Sequence, residues 1–167
     1  PEKVLAQTSR CNVGAIVLAA GQAKRMGALK QLLPWHGTTI IEQVVDCVTT
    51  SGITEVVVVV GHHAREVSER LAEKPVRVVA NTDYEKGIAS SLVCGLKALS
   101  GSCRGIMVVL GDQPTLERET LRRLIVAFSK HVSIVVPVFK GQPGNPVIFP
   151  ASYRREMLTL TGDRALA

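Results

Sequence analysis

Aromatic residues are scarce in this sequence: one Trp, two Tyr and three Phe make up 4% of 167 residues. A core here must be built from Val, Ile, Leu and Ala, which fill parallel strands buried on both faces. The same scarcity argues against a single-stranded nucleic-acid binder, which needs rings as stacking platforms. No apolar run approaches the ~20 residues that span a bilayer, and no block of like charge marks a basic or acidic tail. The four cysteines, Cys11, Cys47, Cys94 and Cys103, lack C-x-x-C spacing, which leaves packed, reduced thiols instead of disulfides or a metal site. The expectation is a soluble, cytoplasmic protein with no nucleic-acid and no membrane partner.

The chain that remains is 46% hydrophobic and 20% charged, with a formal net charge of +6. This balance excludes intrinsic disorder, and the positive excess suits an anionic ligand. The length fits one domain with a real core. Val13–Ala23, following Lys3 and Arg10, imitates a signal peptide, but the downstream pattern reads better with it kept as a strand. Further strand candidates are Glu55–Val60, Val76–Ala80, Ile106–Leu110 and Ser133–Val138, and the first strand is placed at Ala15–Ala19. Most are continuous β-branched runs, as in strands covered on both sides.

Helical periodicity falls between these runs. Thr39–Thr50 carries an apolar stripe, with Thr39-x-x-Glu42 as a capping box. Other helices are expected over Ala64–Ala72, Gly87–Leu99 and Ser152–Leu160, and Val147–Phe149 reads as a brief strand. One more starts at a Thr115 cap and turns Leu121, Leu124, Ile125 and Phe128 inward. Repeated βα units of this kind predict a three-layer, Rossmann-like α/β fold with a mostly parallel central sheet.

Ligands of such sheets sit beyond the carboxyl ends of the strands, so the loops that follow strands are the places to look. Gly21–Gly27 is neither G-x-G-x-x-G nor a Walker A loop. Its amides can form an anion nest while Arg25 and Lys30 bring charge, and a solvated basic turn fits the spacing equally well. Asp112, in GDQP after a strand, suits Mg²⁺ or a plain turn. Asn81–Gly87, leading to Ser90 and Ser91, could bond a base, ribose or phosphate, or merely close an Asx-turn. Gly141–Pro146 has two glycines and two prolines that fix an unusual backbone. His62-His63 has no third ligand spaced nearby and reads as non-metal. Trp35-His36-Gly37 reads as a turn that covers the basic loop.

Together these residues resemble the molybdenum-cofactor nucleotidyltransferases. LAAG-x3-RMG-x2-K-x-LLP from Leu18 to Pro34 is similar to that family's nucleotide-binding signature, and GDQP at 111–114 to its metal-binding turn. NTDYEKGIASSL and GQPGNPVIF resemble further blocks of its cytidylyltransferase branch. The resemblance implies a nucleotide-binding α/β domain that transfers a nucleoside monophosphate to the terminal phosphate of a molybdenum pterin and releases pyrophosphate. Ala20, where guanylyltransferase relatives carry glycine, implies CTP over GTP. By the same resemblance Leu18, Ala19, Ala20 and Gly21 cradle the nucleotide, with Arg25 and Lys30 on its phosphates. Asn81, Asp83, Ser90 and Ser91 surround base and ribose, Asp112 holds Mg²⁺, and Pro143, Gly144 and Asn145 face the pterin. A molybdoenzyme or its maturation factor is the implied partner.

Two departures stand out. Asn145 occupies a position where the family commonly has His, and the acidic D-x-D-T-P motif expected downstream is not reached, so 1–167 reads as one domain short of its C-terminal end. The competing readings are a cytidylyltransferase for a sugar or polyol phosphate and a non-catalytic nucleotide-binding accessory of a molybdoenzyme.

Overall fold

The computed structural model describes residues 12–21 and 30–162. Strand β1 (Val13–Ala19) is followed by a 3-10 turn (Lys30–Leu32), the hairpin β2 (Pro34–Trp35) and β3 (Thr38–Thr39), and helix α1 (Ile40–Thr49). Next come β4 (Glu55–Val60), α2 (Ala64–Arg70), β5 (Arg77–Ala80), a 3-10 turn at Tyr84–Lys86 and α3 (Ile88–Ala98). The rest comprises β6 (Gly105–Leu110), α4 (Arg118–Lys130), the hairpin β7 (Val138–Phe139) and β8 (Gln142–Pro143), β9 (Val147–Pro150) and the short α5 (Arg154–Met157).

The main sheet has the order β5-β4-β1-β6-β9. Its first four strands are parallel and β9 runs antiparallel to β6, so the mostly parallel α/β architecture is the one observed. From β1 the chain winds outward to β4 and β5, then crosses back to place β6 on the other side of β1. Strand order therefore reverses between β1 and β6.

The continuous apolar runs are explained by layers on both faces. Ala15, Val17 and Ala19 of β1 pack with Ile41, Val44 and Val45 of α1 and Leu121, Leu124 and Phe128 of α4. Ile16 and Leu18 pack the other way, against Leu92 and Leu96 of α3. Helix α3 lies close because Gly95 faces the sheet; a Cβ there would come 2.4 Å from Ile16 Cγ2 and 3.0 Å from Val59 Cγ2. At its far end Arg154 donates to the Leu96 and Leu99 carbonyls, which the helix end leaves unpaired, and to the Ser100 carbonyl just beyond. No helix among the described residues is long and apolar enough to cross a membrane.

The capping box of α1 forms as predicted. Thr39 Oγ1 accepts from the Glu42 amide at 3.4 Å, and the Thr39 amide donates to Glu42 Oε2 at 3.1 Å. The Thr39 hydroxyl also donates to that carboxylate at 2.7 Å and is the main cause of a lowered Glu42 pKa. Cys47 and Cys103 are buried and Cys94 half-buried, all free thiols whose pKa values burial raises. Cys11 lies outside the described residues.

Three expectations need correction. Ser133–Val138 is not one strand: Val135 makes an isolated bridge to Ile148 and Val138 opens the β7 hairpin, while Ile134 and Val136 are exposed. An apolar run does not reveal whether a second layer covers it, and Pro137 removes an amide donor from the segment. Helix α4 starts after Glu117 instead of a Thr115 cap, because a turn closed by Leu116 N–H on Gln113 O occupies that stretch. The last helix keeps one α turn, Arg154–Met157, after a 3-10 turn at Ala151–Tyr153. Beyond it Thr159 and Leu160 bond three residues back and tighten the end.

Two stability outcomes follow from this packing. Gly95→Ala should lower unfolding stability by about 1–3 kcal/mol through overpacking, read from the urea midpoint. Thr39→Val should lower stability above the ordinary glutamate pKa of about 4.3. Because the folded Glu42 pKa is depressed, that deficit should shrink as pH falls through the folded value; parallel midpoints at pH 7 and pH 3 check it.

Candidate functional site

The ends of β1 and β6 are joined before they diverge. Leu18 stands opposite Leu110 in register, and the Gly111 amide donates to the Leu18 carbonyl at 2.9 Å. A Cβ at Gly111 would sit 3.0 Å from that oxygen and 3.1 Å from Ala19 Cβ, so glycine permits the approach. Beyond this junction the chains part toward Gly21 and Asp112 and leave a cleft of about 540 Å³. Its apolar surface comes from Leu18, Ala20 and Leu110. The Tyr84–Lys86 turn contributes Tyr84 and Glu85, the start of α3 contributes Gly87, Ile88 and Ser91, and the 3-10 turn at Lys30–Leu32 contributes Gln31.

The structure thus brings Leu18, Ala20, Gly21, Ser91 and Asp112 of the predicted set into one cleft. Ala19 points to the opposite face and packs beneath α1. Lys30 is exposed at the head of its 3-10 turn, one residue from Gln31. Arg25 lies outside the described residues. Pro143, Gly144 and Asn145 precede β9, whose Val147 stands opposite Val108, so their loop emerges at the carboxyl edge of the sheet beside β6 without lining the cleft. That loop follows a tight hairpin in which Lys140 and Gly141 take φ of 49° and 79°.

Asn81, Asp83 and Ser90 line a neighbouring depression of about 450 Å³. Asn81 is buried and its orientation is fixed: Oδ1 accepts the Asp83 amide at 3.0 Å, an Asx-turn, which leaves Nδ2 to donate to Ser90 at 2.9 Å and Ser91 at 3.0 Å. Ser90 in turn donates to the Gly87 and Asp83 carbonyls. Since Ser91 accepts from behind, its own proton is left for an acceptor in the cleft. Asp83 pairs with Lys86 at 2.9 Å.

Asp112 is exposed and makes no hydrogen bond or ion pair with the described residues. No group of three or more His, Cys, Asp or Glu gathers among the described residues. One free carboxylate, with Glu85 on the same cleft, suits a hard cation that takes its other oxygens from phosphates and water. His62 and His63 stack edge to face, and their Nδ1 atoms lie 3.1 Å from Tyr84 Oη and 3.2 Å from Glu66 Oε1.

Sequence reasoning missed Gln31, and within the Asn81–Gly87 stretch it did not single out Tyr84 and Glu85. Gln31 carries no periodic signal, since its burial depends on a three-residue turn. Tyr84 was findable as a lone ring inside a polar loop. Asn81→Leu should cost about 1–3 kcal/mol by stranding the Asp83 amide and both serines, measured as a lower melting temperature.

Known proteins place this geometry in context. Nicotine blue oxidoreductase from Paenarthrobacter nicotinovorans is 39% identical over 159 residues, covering 90% of this chain and 78% of that protein. Bifunctional protein GlmU from Pelobacter propionicus is 34% identical over 137 residues, which is 81% of this chain but 30% of the larger protein. Molybdenum cofactor cytidylyltransferase of Escherichia coli K12 is 26% identical over 81% of this chain and 69% of its own length. Among solved structures, Rv0371c of Mycobacterium tuberculosis H37Rv superposes with a TM-score of 0.85 at 32% identity, over 93% of this chain and 79% of that one. The same protein in complex with manganese gives 0.81 at 29%, over 93% and 79%. A nucleotidyl transferase from Methanothermobacter gives 0.78 at 32% identity, over 89% and 76%. The MobA-like NTP transferase domain pattern matches residues 15–167, and the chain belongs to that nucleotidyltransferase family.

Proposed function

We propose that this chain transfers CMP from CTP to the terminal phosphate of molybdenum-bound molybdopterin and releases pyrophosphate. One observation carries the reading: Gly21 and Asp112, from the ends of neighbouring parallel strands, open on one cleft where the strand order reverses. The cytidylyltransferase relative from E. coli supports the acceptor, and Ala20 in the cleft supports CTP over GTP.

The chemistry asks little of a general base, because the attacking phosphate oxygen is already ionised near neutral pH. The barrier is repulsion between two anions, about 4 kcal/mol per pair of unit charges at ~4 Å in an effective dielectric near 20. Asp112 would hold Mg²⁺, and when bound the ion supplies charge neutralisation and alignment of the triphosphate. The manganese complex of the mycobacterial protein supports a divalent ion in this fold. Lys30, on the turn beside the cleft, brings a compact positive charge to the phosphates, and Arg25 would add a guanidinium fork. Pro143, Gly144 and Asn145 would receive the pterin from the β9 side. The product would pass to a molybdoenzyme or its maturation factor in the cytoplasm.

The 39% identical relative favours a second reading, a redox reaction in the same cleft. Pyrophosphate release, followed with CTP or GTP and Mg²⁺, with molybdenum pterin or a sugar phosphate, separates the possibilities. Release with CTP and molybdenum pterin is expected, and Asp112→Asn or Lys30→Ala should each lower turnover about a hundredfold. Release only with a sugar phosphate would overturn the acceptor. Nicotinamide-cofactor turnover without pyrophosphate would favour the redox reading.

A further inference from the structure

Gln31 is only 6% exposed, yet its amide has no hydrogen-bond partner among the described residues. The other buried polar side chains are bonded: Thr39 within its capping box, Ser51 to the Val48 carbonyl, and Asn81 to Ser91. No fully enclosed side-chain nitrogen or oxygen among the described residues lacks a partner. The Gln31 amide therefore reaches open space, and the space it lines is the cleft. A largely desolvated amide in that state is costly until something completes its bonds.

Its position limits what that partner is. The Lys30–Leu32 turn belongs to the α1 layer: Leu32 packs into the core beneath α1, and the Ile40 amide bonds the Leu33 carbonyl at 3.1 Å. Ser91, with its free proton, rides on α3 in the other layer. Two buried polar groups thus reach the cleft from opposite layers, with the apolar surfaces of Leu18, Ala20 and Leu110 beside them. An amide offers a donor and an acceptor together. Phosphate oxygens only accept and would leave half of it unpaired, whereas a nucleobase edge presents both kinds of group side by side.

We propose that Gln31 reads the hydrogen-bonding edge of the nucleobase and is a specificity-determining residue of this cleft, with Ser91 adding a donor from α3. The proposal rests on the nucleotide reading above. It selects the base of the nucleotide over the ring of the acceptor, because Pro143, Gly144 and Asn145 do not line this cleft.

Calorimetric binding of CTP, UTP, GTP, ATP and inorganic tripolyphosphate, each with Mg²⁺, tests it in the full chain and in Gln31→Met and Gln31→Glu. The intact chain should separate the four nucleotides by tenfold or more. Gln31→Met, close in volume, should narrow that spread about tenfold and leave tripolyphosphate affinity unchanged. Gln31→Glu, which exchanges the donor for an acceptor, should reorder the nucleotides, so a folding defect in one variant leaves the other to decide. A Gln31→Met protein that keeps the original spread, or that loses tripolyphosphate in parallel with every nucleotide, overturns the proposal while the nucleotide reading stands. Failure of the intact chain to bind any nucleotide overturns both.

Discussion

The pairing of β1 with β6 is the constraint on which the site depends. These strands meet only because the chain crosses back over β1 after β5, and their register sets Leu18 against Leu110. The Gly111-to-Leu18 hydrogen bond is the last tie before the backbones separate. Everything beyond it, Gly21 on one side and Asp112 on the other, is held at a distance the ladder dictates. Burial of all of β1 on both faces makes that ladder hard to distort.

The two layers then serve different ends. The α3 layer is brought close by Gly95, so the start of that helix, with Gly87, Ile88 and Ser91, overhangs the cleft. The α1 layer is anchored through the Thr39–Glu42 box and the turn before it, which seats Gln31. Polar groups in the cleft are thus positioned by core packing and local capping, with few exposed ion pairs involved. The i,i+4 pairs Arg65–Glu69 and Arg123–Glu119 lie on helix surfaces where they contribute little.

What the sequence made legible was whatever depends on near neighbours. The α1 capping box, the Glu55–Val60 strand and the inward stripe of α4 are read from local pattern, and each stands where expected. Asp112 and Gly21 were findable because a polar loop after a buried run is a local signal. Ser133–Val138 failed because only the third dimension shows that nothing covers Ile134 and Val136. Asn81, Asp83 and Ser90 carried two readings, and the Asx-turn that fixes Asn81 became clear only with its hydrogen bonds in view. Gln31 was opaque for a related reason: its burial depends on how a three-residue turn seats, which no spacing encodes.

The crossover also governs when the site exists. Leu18, Gln31, Ser91 and Asp112 come from four separate stretches of chain; α3 and the turn before α1 bring Ser91 and Gln31 to β1, and the docking of β6 beside β1 adds Asp112. A chain that holds only β1, β4 and β5 still lacks the Ser91 and Asp112 sides of this cleft. Loop-closure entropy for that long return must be overcome before Asp112 finds the groups it faces. Ligand binding therefore reports on the completed topology.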